Sequence, residues 1–255
     1  FLRKAGIRYV EVPALPFSLS LKHGLTTFVP EALSSDDIRD LRNRLRGMEL
    51  YPITVTAMCQ VLDAAELEAL RRRIDFAHDL ECKYVITDSC DEAGLRQSRS
   101  KVIDSLRSLA EYAAERGVCL ALETHAGPTR NGRVAKEFLD EIAHPNLGYN
   151  YDTGNIVYYN ENIDPAKDIR EIAKRVVHVH LKDTQGGQEE WKFCGLGEGR
   201  VNFAEILRVL QAANFTGPYS LEIEGMAGED LNREGYLQRV RRSLAYLKSI
   251  GLAVP

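Results

Sequence analysis

One feature constrains the fold of this chain more than any other: a repeated alternation of two patterns. Short runs rich in β-branched and aromatic residues recur at 8–13, 51–57, 84–88, 118–124, 147–153, 176–182 and 219–224. Longer amphipathic stretches separate or follow them, at 35–46, 64–81, 97–116, 134–143, 165–173, 203–213 and 233–250. Strand, helix and strand in repetition build a parallel sheet, either open or closed into a barrel. Ser34-Ser35-Asp36-Asp37 and Asp164-Pro165 read as helix starts, and Gly47, Gly117 and Gly251 as helix ends. No linker, low-complexity stretch or internal repeat divides the chain, so a single domain over 1–255 is expected. That length suits an α/β barrel, which typically takes ~250 residues. Seven strand runs are visible where such a barrel has eight, and residues 1–6 read as the end of a helix that needs a strand before it. The expected fold is therefore a (β/α)8 TIM barrel lacking its first β-strand in this chain, with a doubly wound open sheet as the rival.

Charge and cysteine content remove several function classes. A net charge of −4 leaves no global basic field to draw nucleic acid or a membrane surface. The five cysteines include no C-x-x-C pair, which argues against a disulfide framework or zinc knuckle and for a reducing cytoplasm. No apolar run approaches the ~20 residues of a membrane span, and the N-terminus has no signal-peptide pattern.

The polar residues that can carry chemistry sit at the ends of the strand runs. Glu123, Asp152 and His180 close three of them and Glu222 lies in the last, at successive separations of 29, 28 and 42 residues. Strand side chains alternate, so Ala121/Glu123, Asn150/Asp152, His178/His180 and Ser220/Glu222 each share a face. The opposite faces carry Leu120/Leu122, Tyr149/Tyr151, Val177/Val179 and Leu221/Ile223 and suit packing under helices. Buried acidic groups cost several kcal/mol unless compensated. Three carboxylates and an imidazole converging at the carboxyl ends of strands, where barrel enzymes keep their active sites, call for a cation among them. A set of three oxygens and one nitrogen suits a single divalent ion, Mn²⁺ first, with Mg²⁺, Co²⁺ or Zn²⁺ open.

Six segments, in order, then carry a resemblance. Gly6-Ile7-Arg8-Tyr9-Val10-Glu11-Val12, Ala121-Leu122-Glu123, Tyr151-Asp152-Thr153-Gly154-Asn155, His178-Val179-His180-Leu181-Lys182-Asp183, Gly195-Leu196-Gly197-Glu198-Gly199 and Leu221-Glu222-Ile223-Glu224 resemble the sugar phosphate isomerase/epimerase superfamily of xylose-isomerase-like TIM barrels. Its members include ketose 3-epimerases, hydroxypyruvate isomerase, inosose dehydratase and 3-dehydroshikimate dehydratase. The resemblance spans essentially the whole chain and implies that Glu123, Asp152, His180 and Glu222 bind the metal. It also implies that Glu123 and Glu222 are the acid/base pair on opposite faces of the substrate. The family places a strand and helix ahead of the segment matching 1–12.

Chelation of a carbonyl and its neighbouring hydroxyl acidifies the adjacent C–H, a glutamate removes that proton, and a metal-stabilised enediolate results. Reprotonation decides between epimerisation and isomerisation, while loss of a β-hydroxyl gives dehydration. A metal-dependent isomerase or epimerase of a polyhydroxy carbonyl compound is therefore expected. A dehydratase of an inosose-like or dehydroshikimate-like ring is the alternative, and a non-catalytic sugar-binding module a weaker one. Apurinic-site endonucleases share this barrel but need extra histidines, and 188–194 contains none. Neither a nucleic-acid nor a membrane partner is expected, and a homo-oligomer stays open.

Six further residues are candidates for substrate contact. His125 has the parity to face the pocket, with loop hydrogen bonding as the plainer alternative. Lys182 offers a cation, or else a salt bridge to Asp183 or Glu224. Asn155 stands where ketose 3-epimerases often carry a histidine, and Lys192 roughly where they place an arginine. Trp191 suits a sugar-facing wall or loop packing, and Glu11 a substrate or structural role. His178, one layer deeper, reads as a satisfied core histidine or a partner of a ligand. His23, His78 and His144 lack partners at ligand spacing and read as surface or capping groups.

Overall fold

Parallel strands covered on both faces read as nearly continuous apolar runs, and the runs in the sequence become these strands. The computed structural model describes residues 2–15 and 27–254, so His23 lies outside the described residues. Among them seven main strands follow one another along the chain: β1 (Tyr9–Pro13), β2 (Tyr51–Thr56), β3 (Tyr84–Thr87), β4 (Cys119–Glu123), β5 (Leu147–Asp152), β6 (Val176–Leu181) and β9 (Tyr219–Leu221). β1 to β4 pair in parallel, as do β5, β6 and β9. The count and succession match the sequence reading. β7 (Asp183–Thr184) and β8 (Phe193–Cys194) add a short antiparallel ribbon that the apolar pattern did not announce.

Packing divides the chain into two compact units, one of Ile7–Glu123 and Phe138–Gly148, the other of Phe1–Gly6, Thr124–Glu137 and Tyr149–Pro255. In the first, β1 to β4 alternate with α1 (Ser35–Gly47), α2 (Ala64–Asp79) and α3 (Glu92–Glu115). Val55, Val85, Leu120, Ile74 and Leu106 are all fully buried there. Ser34 starts α1 through a capping box: its Oγ accepts from Asp37 N at 3.2 Å, and Ser34 N donates to the Asp37 carboxylate at 2.9 Å. Gly47 is not the terminator expected of it. It sits in the last turn, and Glu49 takes the left-handed conformation at φ 54. Gly117 and Gly251 do adopt positive φ, 66 and 92. α3 begins before residue 97, at Glu92, capped by Asp91, and is kinked at Ser98. The apolar periodicity marked only the part after the kink, because the first turns bury nothing.

In the second unit β5, β6 and β9 are joined by α5 (Asn155–Tyr158), α6 (Pro165–Ile172) and α7 (Phe203–Ala212), and α8 (Arg233–Ser249) follows β9. α4 (Gly132–Ile142) precedes β5. Asp164 caps α6 by accepting from Ala166 N at 3.0 Å, with Pro165 in the first turn. Tyr149, Tyr151, Val179 and Leu181 are buried on one face of this sheet, and Asn150, Asp152, His178 and His180 on the other. The polar side chains thus share a face, as the alternation requires.

Asp168 of α6 ties this layer together. Both its oxygens accept from Gly132 N, at 3.0 and 2.9 Å, and Tyr151 Oη lies 3.1 Å from Oδ2. Burial pushes the carboxyl up to about 6, against the hydrogen bonds from Gly132 and Tyr151. An unfolded aspartate ionises near pH ~4, so the folded state holds an extra proton between about pH 4 and about pH 6. Stability from this group is highest below that window, falls as pH rises through it, and is level above. Asp168→Asn should remove this dependence. Relative to the native protein it should gain up to about 3 kcal/mol between pH 4 and pH 7 in urea unfolding. A pH-independent difference would refute the assignment.

Candidate metal centre and active site

The site begins with the turn Asp152-Thr153-Gly154-Asn155 at the end of β5. Asp152 is fully buried, and its Oδ1 accepts from Gly154 N at 2.8 Å and Asn155 N at 2.9 Å, fixing the start of α5. Thr153 straps the turn to β6, its N donating to His180 O at 3.1 Å and its Oγ1 to Lys182 O at 2.7 Å. Gly154 is required by contact: a Cβ there would lie 2.6 Å from Lys182 Cγ. With Oδ1 committed to the turn, Oδ2 is the oxygen that meets its charged neighbours.

Three elements bring those neighbours together. His180 Nδ1 lies 3.0 Å from Glu222 Oε2 and 3.9 Å from Asp152 Oδ2. Lys182 Nζ lies 3.0 Å from Asp152 Oδ2, 3.0 Å from Glu222 Oε1, 3.4 Å from Glu224 Oε2 and 3.1 Å from Asn155 Oδ1. Glu222 follows β9 directly, its N donating to Leu181 O at 3.1 Å, so the ladder still sets its position. The Lys182 side chain is 2% exposed, whereas those of Glu222 and Glu224 are 28% and 29% exposed. The cluster therefore opens to solvent on its glutamate side.

The electrostatics follow from this packing. Burial pushes Asp152 up despite the Lys182 ammonium. Burial acts upward on Glu222 too, but Lys182 and His180 outweigh it and hold that carboxyl below the usual range. Glu224 is pushed up to about 7 by burial and by the charges of Glu222 and Asp152, with Lys182 opposing. Lys182 makes the salt bridge to Glu224 considered from sequence, and adds two more. The other residue considered, Asp183, turns away. Asp152, His180 and Glu222 offer oxygen, nitrogen and oxygen donors that could hold a metal ion, a set that fits a divalent one.

The remaining candidates separate into groups. Glu123 closes β4 and is buried. The next residue, Thr124, accepts from Asp152 N through Oγ1 at 3.0 Å, and its carbonyl accepts from Asn155 Nδ2 at 3.0 Å. His125 Nε2 lies 2.8 Å from Tyr159 Oη, with the two rings 4.8 Å apart. Trp191, 43% exposed, meets Phe193 at 5.0 Å and Tyr158 at 5.8 Å, and Phe193 lies 4.8 Å beneath Lys182 Nζ. Lys192 Nζ pairs with exposed Glu190 at 3.2 Å. Glu11 of β1 accepts a hydrogen bond from Thr56 Oγ1. His178 is fully buried between Asn150 Oδ1 at 2.9 Å and Ser220 Oγ at 3.3 Å, as a satisfied core histidine would be. Glu224, Thr124, Tyr159 and Phe193 were not among the candidates. Only Glu224 carried a usable signal, its parity with Glu222.

The sequence matches the Xylose isomerase-like TIM barrel family over residues 1–250, and the chain belongs to that family. Its fold is accordingly the xylose-isomerase-like TIM barrel. It is 28% identical over 235 residues to an L-ribulose 3-epimerase of Methylomonas sp. (strain DH-1), covering 86% of this chain and 74% of that protein. An inosose dehydratase of Geobacillus kaustophilus (strain HTA426) is 30% identical over 193 residues, 62% of this chain and 61% of the relative. Among solved structures, a xylose isomerase-like TIM barrel protein from Mycobacterium smegmatis in complex with magnesium superposes with a TM-score of 0.74 at 20% identity, covering 95% of this chain and 87% of that one.

Asp183 supports the loop beside the site. Its fully buried carboxylate accepts from Thr184 N, Gly197 N and Gly199 N at 2.9 Å and Val201 N at 3.1 Å. Asp183→Ala should strip four backbone donors of their acceptor and cost about 3 kcal/mol or more in urea unfolding. Limited proteolysis should then cut within 185–202 before the protein unfolds globally. A loss below ~1 kcal/mol with an unchanged cleavage pattern would contradict this role.

Proposed function

We propose that this chain is a divalent-metal-dependent sugar isomerase or epimerase that works by proton abstraction next to a carbonyl. The observation that carries the reading is the approach of Glu222 Oε2 and Asp152 Oδ2 to 3.0 and 3.9 Å of His180 Nδ1 beside one buried turn. Glu123 is proposed as the fourth ligand, because Thr124, the next residue, is bonded to both Asp152 and Asn155. Mn²⁺ is the favoured ion, and the free cysteines suit a cytoplasmic setting.

When bound, a divalent ion polarises the substrate carbonyl and acidifies the neighbouring C–H. Glu222, an ionised carboxylate beside His180, accepts that proton at a carboxylate oxygen on the solvent-facing side of the cluster. Glu123 returns a proton from the other face to invert the carbon, or delivers it to the adjacent carbon to isomerise the sugar. Asp152, with one oxygen fixed by the turn, and His180, beside Glu222, hold the geometry. His125, oriented by Tyr159, hydrogen-bonds a substrate hydroxyl, and Trp191 with Tyr158 supplies an apolar wall for the sugar carbons. Asn155, Lys192 and Glu11 complete the proposed set around the small-molecule substrate, and Lys182 acts on it only through the carboxylates it holds.

The likeness to L-ribulose 3-epimerase supports epimerisation. A lyase reading is supported by the inosose dehydratase relative and by Asn155, which stands where ketose 3-epimerases often carry a histidine. Incubation with Mn²⁺ and a panel of ketoses, inososes and 3-keto sugars in D₂O separates the two. Deuterium incorporation next to a carbonyl without loss of water means isomerase or epimerase, and loss of water means dehydratase. Absence of exchange across the panel overturns enediolate chemistry. Glu222→Gln and His180→Ala should each abolish Mn²⁺ binding in calorimetry and all turnover, while circular dichroism still reports a folded protein.

A further inference from the structure

Lys182 is placed as no substrate-facing lysine would be. Its ammonium is 2% exposed and lies against the two carboxylates, Asp152 and Glu222, that also approach His180 Nδ1. Its shaft packs against Gly154, where a Cβ would lie 2.6 Å from Lys182 Cγ, and its Nζ lies 4.8 Å from the centre of the Phe193 ring. A lysine has three N–H donors, and Nζ has at least four acceptors around it among the described residues: Asp152, Glu222 and Asn155 at 3.0–3.1 Å and Glu224 at 3.4 Å. The surplus acceptor matters. If Asp152 and Glu222 were taken by a divalent ion, Nζ could keep Asn155 and close on Glu224 by a few tenths of an ångström.

We propose that Lys182 is a built-in counter-ion that competes with the divalent ion for Asp152 and Glu222, and that Glu224 is the acceptor to which it is handed when the ion binds. The inference rests on the metal-site reading above. The cluster is neutralised in part by the protein itself, so the metal-free protein stays folded. The same positive charge opposes a second cation through like-charge repulsion, and metal affinity is set by an exchange rather than by filling a vacant cage. Lys182 is in this sense a positioning residue for the metal, and Glu224 sets how readily it yields.

The test is calorimetric titration of Mn²⁺ alone into the full chain and four variants, with thermal unfolding of each metal-free protein. Lys182→Met keeps the shaft and deletes the charge, and should tighten Mn²⁺ at least tenfold while lowering the metal-free melting temperature. Lys182→Arg restores a cation and should return affinity towards the native value. Glu224→Gln should weaken Mn²⁺ about tenfold in the native background yet less than about threefold beside Lys182→Met, the non-additivity expected of coupled residues. Unchanged or weaker binding by Lys182→Met, or an equal Glu224→Gln effect in both backgrounds, overturns the exchange. Should Lys182→Met fail to fold, the native and Glu224→Gln proteins still decide: unaltered affinity in Glu224→Gln overturns the handover. Absence of Mn²⁺ binding by the native chain and every variant overturns the metal-site reading itself.

Discussion

The buried contact of the Lys182 ammonium with Asp152 and Glu222 is the interaction on which the rest of the site depends. Each buried ion carries a desolvation cost of several kcal/mol, repaid only by close opposite charge and saturated hydrogen bonding. Lys182 meets that condition, with partners at 3.0, 3.0 and 3.1 Å. It does not balance the cluster completely. Asp152, Glu222 and Glu224 together bring more negative charge than one ammonium cancels, and Glu224 is pushed up to about 7 by burial first, with the charges of Glu222 and Asp152 adding to it. A site with residual negative charge, an imidazole nitrogen and a partly open glutamate edge is chemically suited to a cation. It is poorly suited to remain a purely structural ion-pair network.

The arrangement was legible in the sequence wherever backbone periodicity controls it. Alternation along β5 and β6 put Asp152 and His180 on one face because the opposite residues, Tyr151, Val179 and Leu181, had to be buried. Features governed by contacts between distant segments were not legible. The short helix Asn155–Tyr158 depends on the Asp152 carboxylate capping its own turn, and four residues carry too little periodicity to see. The Asp183 cage joins positions 14 to 18 residues apart through backbone N–H groups that carry no side-chain code. Gly47 failed as a helix end because Glu49, two residues later, took the left-handed position. Lys182 was seen as either a substrate group or a salt-bridge partner, and only the geometry shows that its partners include the candidate ligands.

The relatives include both an epimerase and a dehydratase, and in the proposed reading both reactions begin by proton abstraction next to a carbonyl, so the carboxylates and imidazole do not separate them. The distinguishing groups must act on the rest of the substrate. In the proposed reading these are the aromatic surface of Tyr158, Trp191 and Phe193 and the His125–Tyr159 pair, all carried on the connections beyond the ends of the main-sheet strands. Loops vary at little cost to the fold whereas strand-end ligands do not. That division explains how one barrel supports several reactions and why identity near 30% fixes the family before the substrate.

Asp152 shows why the fold and the site cannot be tuned separately. One oxygen is spent on two backbone N–H groups, its own N–H is held by Thr124, and Thr153 fastens the same turn to β6. These bonds leave the second oxygen aimed at Lys182 and His180 with little freedom to reorient. In the proposed role, a carboxylate fixed in this way would lose little entropy on binding a cation and would keep its position as charge develops on a substrate. The strength of the site therefore lies in the neutral hydrogen bonds behind Asp152 as much as in the charges in front of it.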